Sequence, residues 1–139
     1  MARIYLHDRV ITIVPGFFSL SYTANRGAAF GILQKQRALF IVLTLIVFYL
    51  IWRYYHEIPK QPLVLTGLFL ALGGAVGNFI DRVVFGAVID FLAFKYWPVF
   101  NVADSAIVVG LVLFAWGIWQ YERKVSKNIG QSSREGGRE

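Results

Sequence analysis

The chain contains no cysteine, which excludes disulfides, thiol nucleophiles, cysteine-ligated zinc and iron–sulfur clusters. It also carries little charge: Asp, Glu, Lys and Arg make up 16% of its 139 residues against 57% apolar residues, and mean hydropathy is +0.56. That balance argues against a water-soluble globule. Its two histidines, His7 and His56, stand isolated, without the spacing or carboxylate company of a metal site. No Gly-Lys-Ser or Gly-Lys-Thr follows Gly73, Gly74 and Gly77, so these glycines suggest close helix packing and not a phosphate loop. No sequence repeat at a fixed period is present, and residues 1–8 hold no apolar run of the length a secretory leader needs. Insertion is therefore expected to rely on internal helices. The net charge of +6 is scattered through loops and tail, with no basic patch beside exposed aromatics. This suits contact with membrane lipids and not with nucleic acid.

What the chain does have is apolar stretches of membrane length. Residues 38–52 lie uncharged between Arg37 and Arg53; at 1.5 Å per residue they cover roughly 22 Å and need snorkelling arginines to cross a core of about 30 Å. Residues 62–80 start with Pro62 in the first turn, where its missing N–H does no harm. Residues 105–121 follow Asp104 and end before Glu122, Arg123 and Lys124. These features predict a single membrane domain over residues 1–139, with spans at 37–55, 62–80 and 102–121 and a polar, disordered tail at 122–139. Ahead of the helices, residues 1–33 read as a surface sheet segment. Phe18, Leu20 and Tyr22 alternate with Ser19, Ser21 and Thr23, residues 10–14 form a second strand candidate, and Pro15-Gly16 marks a turn between them. The fold class is thus an all-α membrane protein, a helical bundle with a small β-sheet at the membrane surface. Its 14 basic residues divide evenly between the two sides of such a bundle, so the positive-inside rule assigns no orientation.

Ionisable groups beside membrane segments are costly and default to functional hypotheses, which singles out Asp81, Arg82, Asp90 and Asp104. Counting back from Asp81 by threes and fours gives Asn78, Gly74, Ala71 and Gly67 on one helix face. Asn101 and Asp104 are likewise three apart, and Ala103, Ala106, Gly110 and Gly117 allow close approach on the third helix. Both Asn-x-x-Asp pairs then fall on the same side of the membrane, with Asp90 between them. A plainer account makes Asn78 and Asn101 helix-end caps and pairs Asp81 with Arg82 or another cation. It serves less well for Asp90, which stands in an apolar run without an adjacent cation, and for Asp104, which opens a lipid-length helix. Two carboxylates that meet in low dielectric share a proton, and can act as base and acid on a water between them. A Ser105/Lys95 dyad is a weaker alternative. Phe94, Tyr96, Trp97 and Phe100 read as an interfacial aromatic belt.

Four motifs now stand in order: Asn25-Arg26-Gly27-Ala28-Ala29-Phe30-Gly31, Gly73 to Arg82, Gly86-Ala87-Val88-Ile89-Asp90-Phe91, and Pro98 to Ser105. Together they resemble the lipoprotein signal peptidases, also called signal peptidase II. The resemblance implies an aspartic intramembrane endopeptidase of the bacterial cytoplasmic membrane, multi-pass and without cofactor or metal. Its substrates would be prolipoproteins, cut before a diacylglyceryl-modified cysteine. It implies Asp90 and Asp104 as the catalytic pair, Asn78, Asp81, Arg82 and Asn101 as a supporting polar shell, and Asn25 approaching from the sheet. It also implies that the sheet lies on the outer side, and a monomer is expected. The family looks like a four-helix one, so the resemblance implies a first helix that would precede Met1 and carry an Asp and a Lys not found in this sequence. The readings kept beside it are a small proton-coupled transporter and a catalytically inactive, truncated family member.

Overall fold

Each of the three apolar stretches forms a helix long and apolar enough to cross a membrane. In this computed structural model residue 6, residues 9–27 and residues 36–135 are described; His7 and the Ala28-to-Gly31 part of the first motif lie outside the described residues. Helix α1 is Arg37–Tyr54, and its 18 residues give about 27 Å of rise. A 3₁₀ turn, Tyr55–Glu57, closes it. Helix α2 is Pro62–Phe85, with the proline in its first turn. It runs beyond residue 80 because nothing from Asp81 to Phe85 breaks a helix. It stops at Gly86, whose φ of 75° is left-handed and whose N–H bonds back to the Arg82 carbonyl at 3.2 Å. Helix α3, Val102–Glu135, also outruns its expected end. The stretch from Glu122 onward was expected to be a disordered tail, but through Glu135 it is helical. The physical reason is composition: Glu, Arg, Lys and Gln have high helix propensity, and no proline interrupts them.

The sheet forms from the segments that precede α1 and follow α2. Strands β1 (Ile11–Val14) and β2 (Phe18–Asn25) are joined by a turn closed by the Phe17 N–H on the Val14 carbonyl at 3.0 Å. Strand β3 (Val88–Phe94) pairs antiparallel with β2, giving the order β1-β2-β3. The sequence pattern did not reveal β3, since alternate residues are not polar and its burial runs along both faces. After β3 the chain turns at Lys95 to Trp97 and returns, with Leu92 and Phe100 bridged. Phe94 and Phe100 pack on the sheet: their rings stack 5.8 Å apart, and Phe94 also stacks on Phe18 at 4.6 Å. Tyr96 and Trp97 remain exposed.

Helices α2 and α3 meet along a seam of small residues, the mode by which helices associate in lipid, where hydrophobicity gives no drive. Val64, Gly67, Leu68, Gly74 and Asn78 are buried on α2. A β-carbon on Gly67 would lie 2.7 Å from the Gly110 carbonyl oxygen, and one on Gly74 would lie 2.9 Å from Ile107 Cγ1. Helix α1, by contrast, buries no residue. It leans on α2 through a half-covered stripe that includes Phe40, Thr44 and Phe48. Arg37 ties their ends, donating through Nη2 to the Val83 carbonyl at 2.8 Å, one of the carbonyls that the end of α2 leaves without a helical partner.

Candidate active site

The α2–α3 seam ends in polar side chains, and the geometry there follows from three local devices. The first is the start of α3. The Asn101 Oδ1 accepts from the Asp104 N–H at 2.9 Å while Asp104 Oδ2 accepts from the Asn101 N–H at 3.1 Å. This is the reciprocal pattern of a capping box, with Asp in the role usually taken by Glu. The second is the end of α2: Asn78, one turn before Arg82, donates through Nδ2 to Asp104 Oδ1 at 2.7 Å. The third is the sheet. Thr23 stands opposite Asp90, so Asn25, two residues on, shares its face. Asn25 Nδ2 donates to Asp90 Oδ2 at 2.9 Å, and Asn25 is itself held by the Gly27 N–H on its Oδ1 at 3.0 Å.

Asn101 joins the pieces. Its Nδ2 donates to Asp90 Oδ1 at 2.8 Å and to Asn78 Oδ1 at 3.1 Å. The two carboxylates are thus bridged by a chain of asparagine side chains, and all four carboxylate oxygens accept a hydrogen bond. Asp90 is only 2% exposed. Burial pushes its carboxyl above the usual carboxylate range, and the Asp104 charge adds to the push; the donors Asn25 and Asn101 and the Arg82 charge oppose it. Asp90 is therefore easier to protonate than an exposed carboxyl.

Asp90, Asp104, Asn25 and Arg82 line one cavity of about 530 Å³. Its remaining walls are largely apolar, from Trp97 to Phe100 on one side and Val108 and Val109 on α3 on another. Such a cavity offers a polar reacting edge next to a surface suited to hydrocarbon.

Of the residues singled out in the sequence, Asn25, Asn78, Asp90, Asn101 and Asp104 come together directly. Asp81 does not pair with Arg82; its Oδ2 accepts the Ile89 N–H at 3.0 Å, which fixes the corner between α2 and β3 one residue before Asp90. Arg82 donates to the Asn78 carbonyl at 3.3 Å, and its guanidinium lies 4.9 Å from the centre of the Phe40 ring. Asn101 caps α3, as the plain account expects, and it also bonds both Asn78 and Asp90. The Ser105/Lys95 pair is not assembled: the Ser105 hydroxyl donates to the Asn101 carbonyl at 3.3 Å, while Lys95 Nζ lies over the Tyr96 ring at 5.1 Å. His56 sits beyond the opposite end of α1, edge-on to Tyr55. Sequence reasoning missed Phe40, whose aromatic character on an apolar helix carries no signal of its own.

The chain is similar to known proteins over most of its length. A family model described as signal peptidase (SPase) II matches residues 1–120. The chain is 47% identical over 113 residues to a lipoprotein signal peptidase of Halothermothrix orenii, covering 81% of this chain and 78% of that relative. It is 46% identical over 118 residues to one of Pelotomaculum thermopropionicum, covering 84% and 78%. A solved structure described as a bacterial membrane enzyme, determined in meso at 2.3 Å resolution, superposes with a TM-score of 0.74 at 29% identity. That match covers 81% of this chain and 71% of the solved one. A second such enzyme, at 1.9 Å resolution, gives a TM-score of 0.69 at 30% identity, covering 79% and 74%.

Proposed function

The chain belongs to the signal peptidase II family, multi-pass membrane peptidases that remove signal peptides from prolipoproteins, and within it we propose an aspartic endopeptidase with Asp90 and Asp104 as its catalytic pair. The observation that supports this is the asparagine-bridged pair of carboxylates on the wall of a half-apolar cavity. Asp104, ionised, takes a proton from a water held between the two carboxylates, and the hydroxide oxygen bonds to the scissile carbonyl carbon. Asp90, protonated, gives its proton to the carbonyl oxygen as the tetrahedral intermediate forms. The intermediate then collapses: the C–N bond breaks as Asp104 passes the proton it took from water to the leaving nitrogen, and Asp90 takes back a proton from the intermediate's hydroxyl as the carbonyl re-forms, which returns both carboxyls to their starting states. Asn78, Asn101 and Asn25 hold the two carboxylates at their separation, Asp81 steadies the β3 corner, and Arg82 faces the substrate backbone from the cavity wall.

The apolar flank of the cavity suits a substrate whose cysteine carries a diacylglyceryl group, with cleavage on the amino side of that cysteine. A site at the helix ends lets acyl chains remain in lipid while the scissile bond meets water. We place the sheet on the outer side of the bacterial cytoplasmic membrane, and the working unit as a monomer. The test is cleavage of a diacylglyceryl-modified prolipoprotein by the purified chain in detergent. Asp90→Asn and Asp104→Asn are each expected to lower the rate by about a hundredfold or more. Full cleavage by either variant overturns the aspartic reading.

A further inference from the structure

Arg82 poses a physical problem that its surroundings solve in an unexpected way. Three carboxylates, on Asp104, Asp90 and Asp81, act on its charge. An arginine in such company ordinarily closes a bidentate ion pair with one of them. Here, among the described residues, its direct partners are the Asn78 carbonyl and the Phe40 ring, not a carboxylate. Phe40 comes from α1, a helix with no buried residue and none of whose side chains lines the cavity, so it reaches the site only through Arg82. Yet the outer turn of α1 is fastened around this point. Arg37, three residues before Phe40 and on the same face, holds the Val83 carbonyl. Thr44, one turn after, donates to the Phe40 carbonyl at 2.8 Å. The end of α1 thus presents one aromatic face to one guanidinium.

We infer that Phe40 is a positioning residue, which holds the Arg82 guanidinium on the cavity wall and off the catalytic carboxylates. The ring attracts the cation without competing for it as an anion would. Arg82 keeps its outward donors for a substrate carbonyl, and Asp90 and Asp104 keep their oxygens for water and proton. The inference rests on the peptidase reading of the cavity. It assigns to α1, otherwise a lipid-facing helix, a task in substrate binding.

The test is a double-mutant cycle on steady-state cleavage of a diacylglyceryl-modified prolipoprotein, with thermal unfolding measured alongside. Phe40→Leu should raise KM about tenfold while kcat stays within about twofold, because a contact to the substrate backbone is made before and during reaction alike. Phe40→Tyr, which keeps the ring, should restore KM. In an Arg82→Gln background Phe40→Leu should add less than about a twofold change, since the two act as a unit. A matching change away from the site supplies the control: Phe48 makes the ring contact of the same α1–α2 seam, 6.2 Å from Phe79, and Phe48→Leu should leave KM unchanged. Additive losses in the double variant, no rescue by Phe40→Tyr, or an equal KM rise in Phe48→Leu each overturn the inference. If Asp90→Asn abolishes cleavage while Arg82→Gln leaves KM unaltered, the peptidase site stands and the role of Phe40 falls. If either Asp90→Asn or Asp104→Asn cleaves normally, the underlying reading itself has failed.

Discussion

Helices α1 and α3 are equally apolar over their membrane windows, with mean hydropathy 1.9 in each, but they relate to α2 in opposite ways. Helix α3 lies against α2 so closely that backbone meets backbone at Gly67 and Gly110, and α1 touches α2 only along one half-covered stripe without burying a residue. Hydropathy cannot account for the difference, because lipid tails solvate Leu and Ile as well as a protein core does. What separates them is the supply of small residues. Between Phe40 and Tyr54 α1 has neither glycine nor alanine, while α2 and α3 carry glycines at helical spacing on facing sides. The carboxylates proposed as the catalytic pair sit where the close pair ends, so the tight seam sets their geometry.

Three substitutions would break or sharpen that contrast. The largest effect is expected from Gly67→Leu, which drives a side chain into the Phe114 and Gly110 backbones. Overpacking of this kind costs about 1–3 kcal/mol even where neighbours can shift. Here backbone stands in the way, so thermal unfolding in detergent should drop by many degrees and cleavage should vanish with it. An intermediate effect is expected where the sheet meets the seam. The Asn25 donor favours the charged form of Asp90, so Asn25→Leu raises that carboxyl further and lets it keep its proton to higher pH. If the protonated form is the one that works, the alkaline limb of the kcat/KM profile moves upward; a downward shift contradicts the assignment of the proton to Asp90. The smallest effect belongs to the lipid side of α1. Leu45→Ala, at a position 49% exposed, should change the unfolding temperature and kcat/KM by less than the scatter of the assays. A clear loss would mean that something packs on that face.

Much of this was legible before the fold was known, and the reasons differ from residue to residue. The three spans follow from length and hydropathy, and the face formed by Gly67, Ala71, Gly74 and Asn78 follows from the helical period. The pairs Asn78/Asp81 and Asn101/Asp104 could be placed on one side because α2 ends where α3 begins. Asp81, however, belonged to the backbone of Ile89 instead of to a cation. Strand β3 escaped because a strand covered on both faces looks like any short apolar run. The helical continuation to Glu135 escaped because polarity alone does not distinguish an exposed helix from a disordered tail.

The sequence by itself determined that this is a multi-pass membrane protein with carboxylates at its helix ends, since burial of apolar length and the cost of charge in lipid act on composition and spacing alone. Only the tertiary structure decided that Asn101 would bridge Asp90 and Asp104, that Asn25 would reach across from the sheet, and that Phe40 would hold Arg82. Those contacts join residues far apart in the chain. They depend on the register of β2 against β3 and the close approach of α2 to α3, quantities that no local pattern encodes.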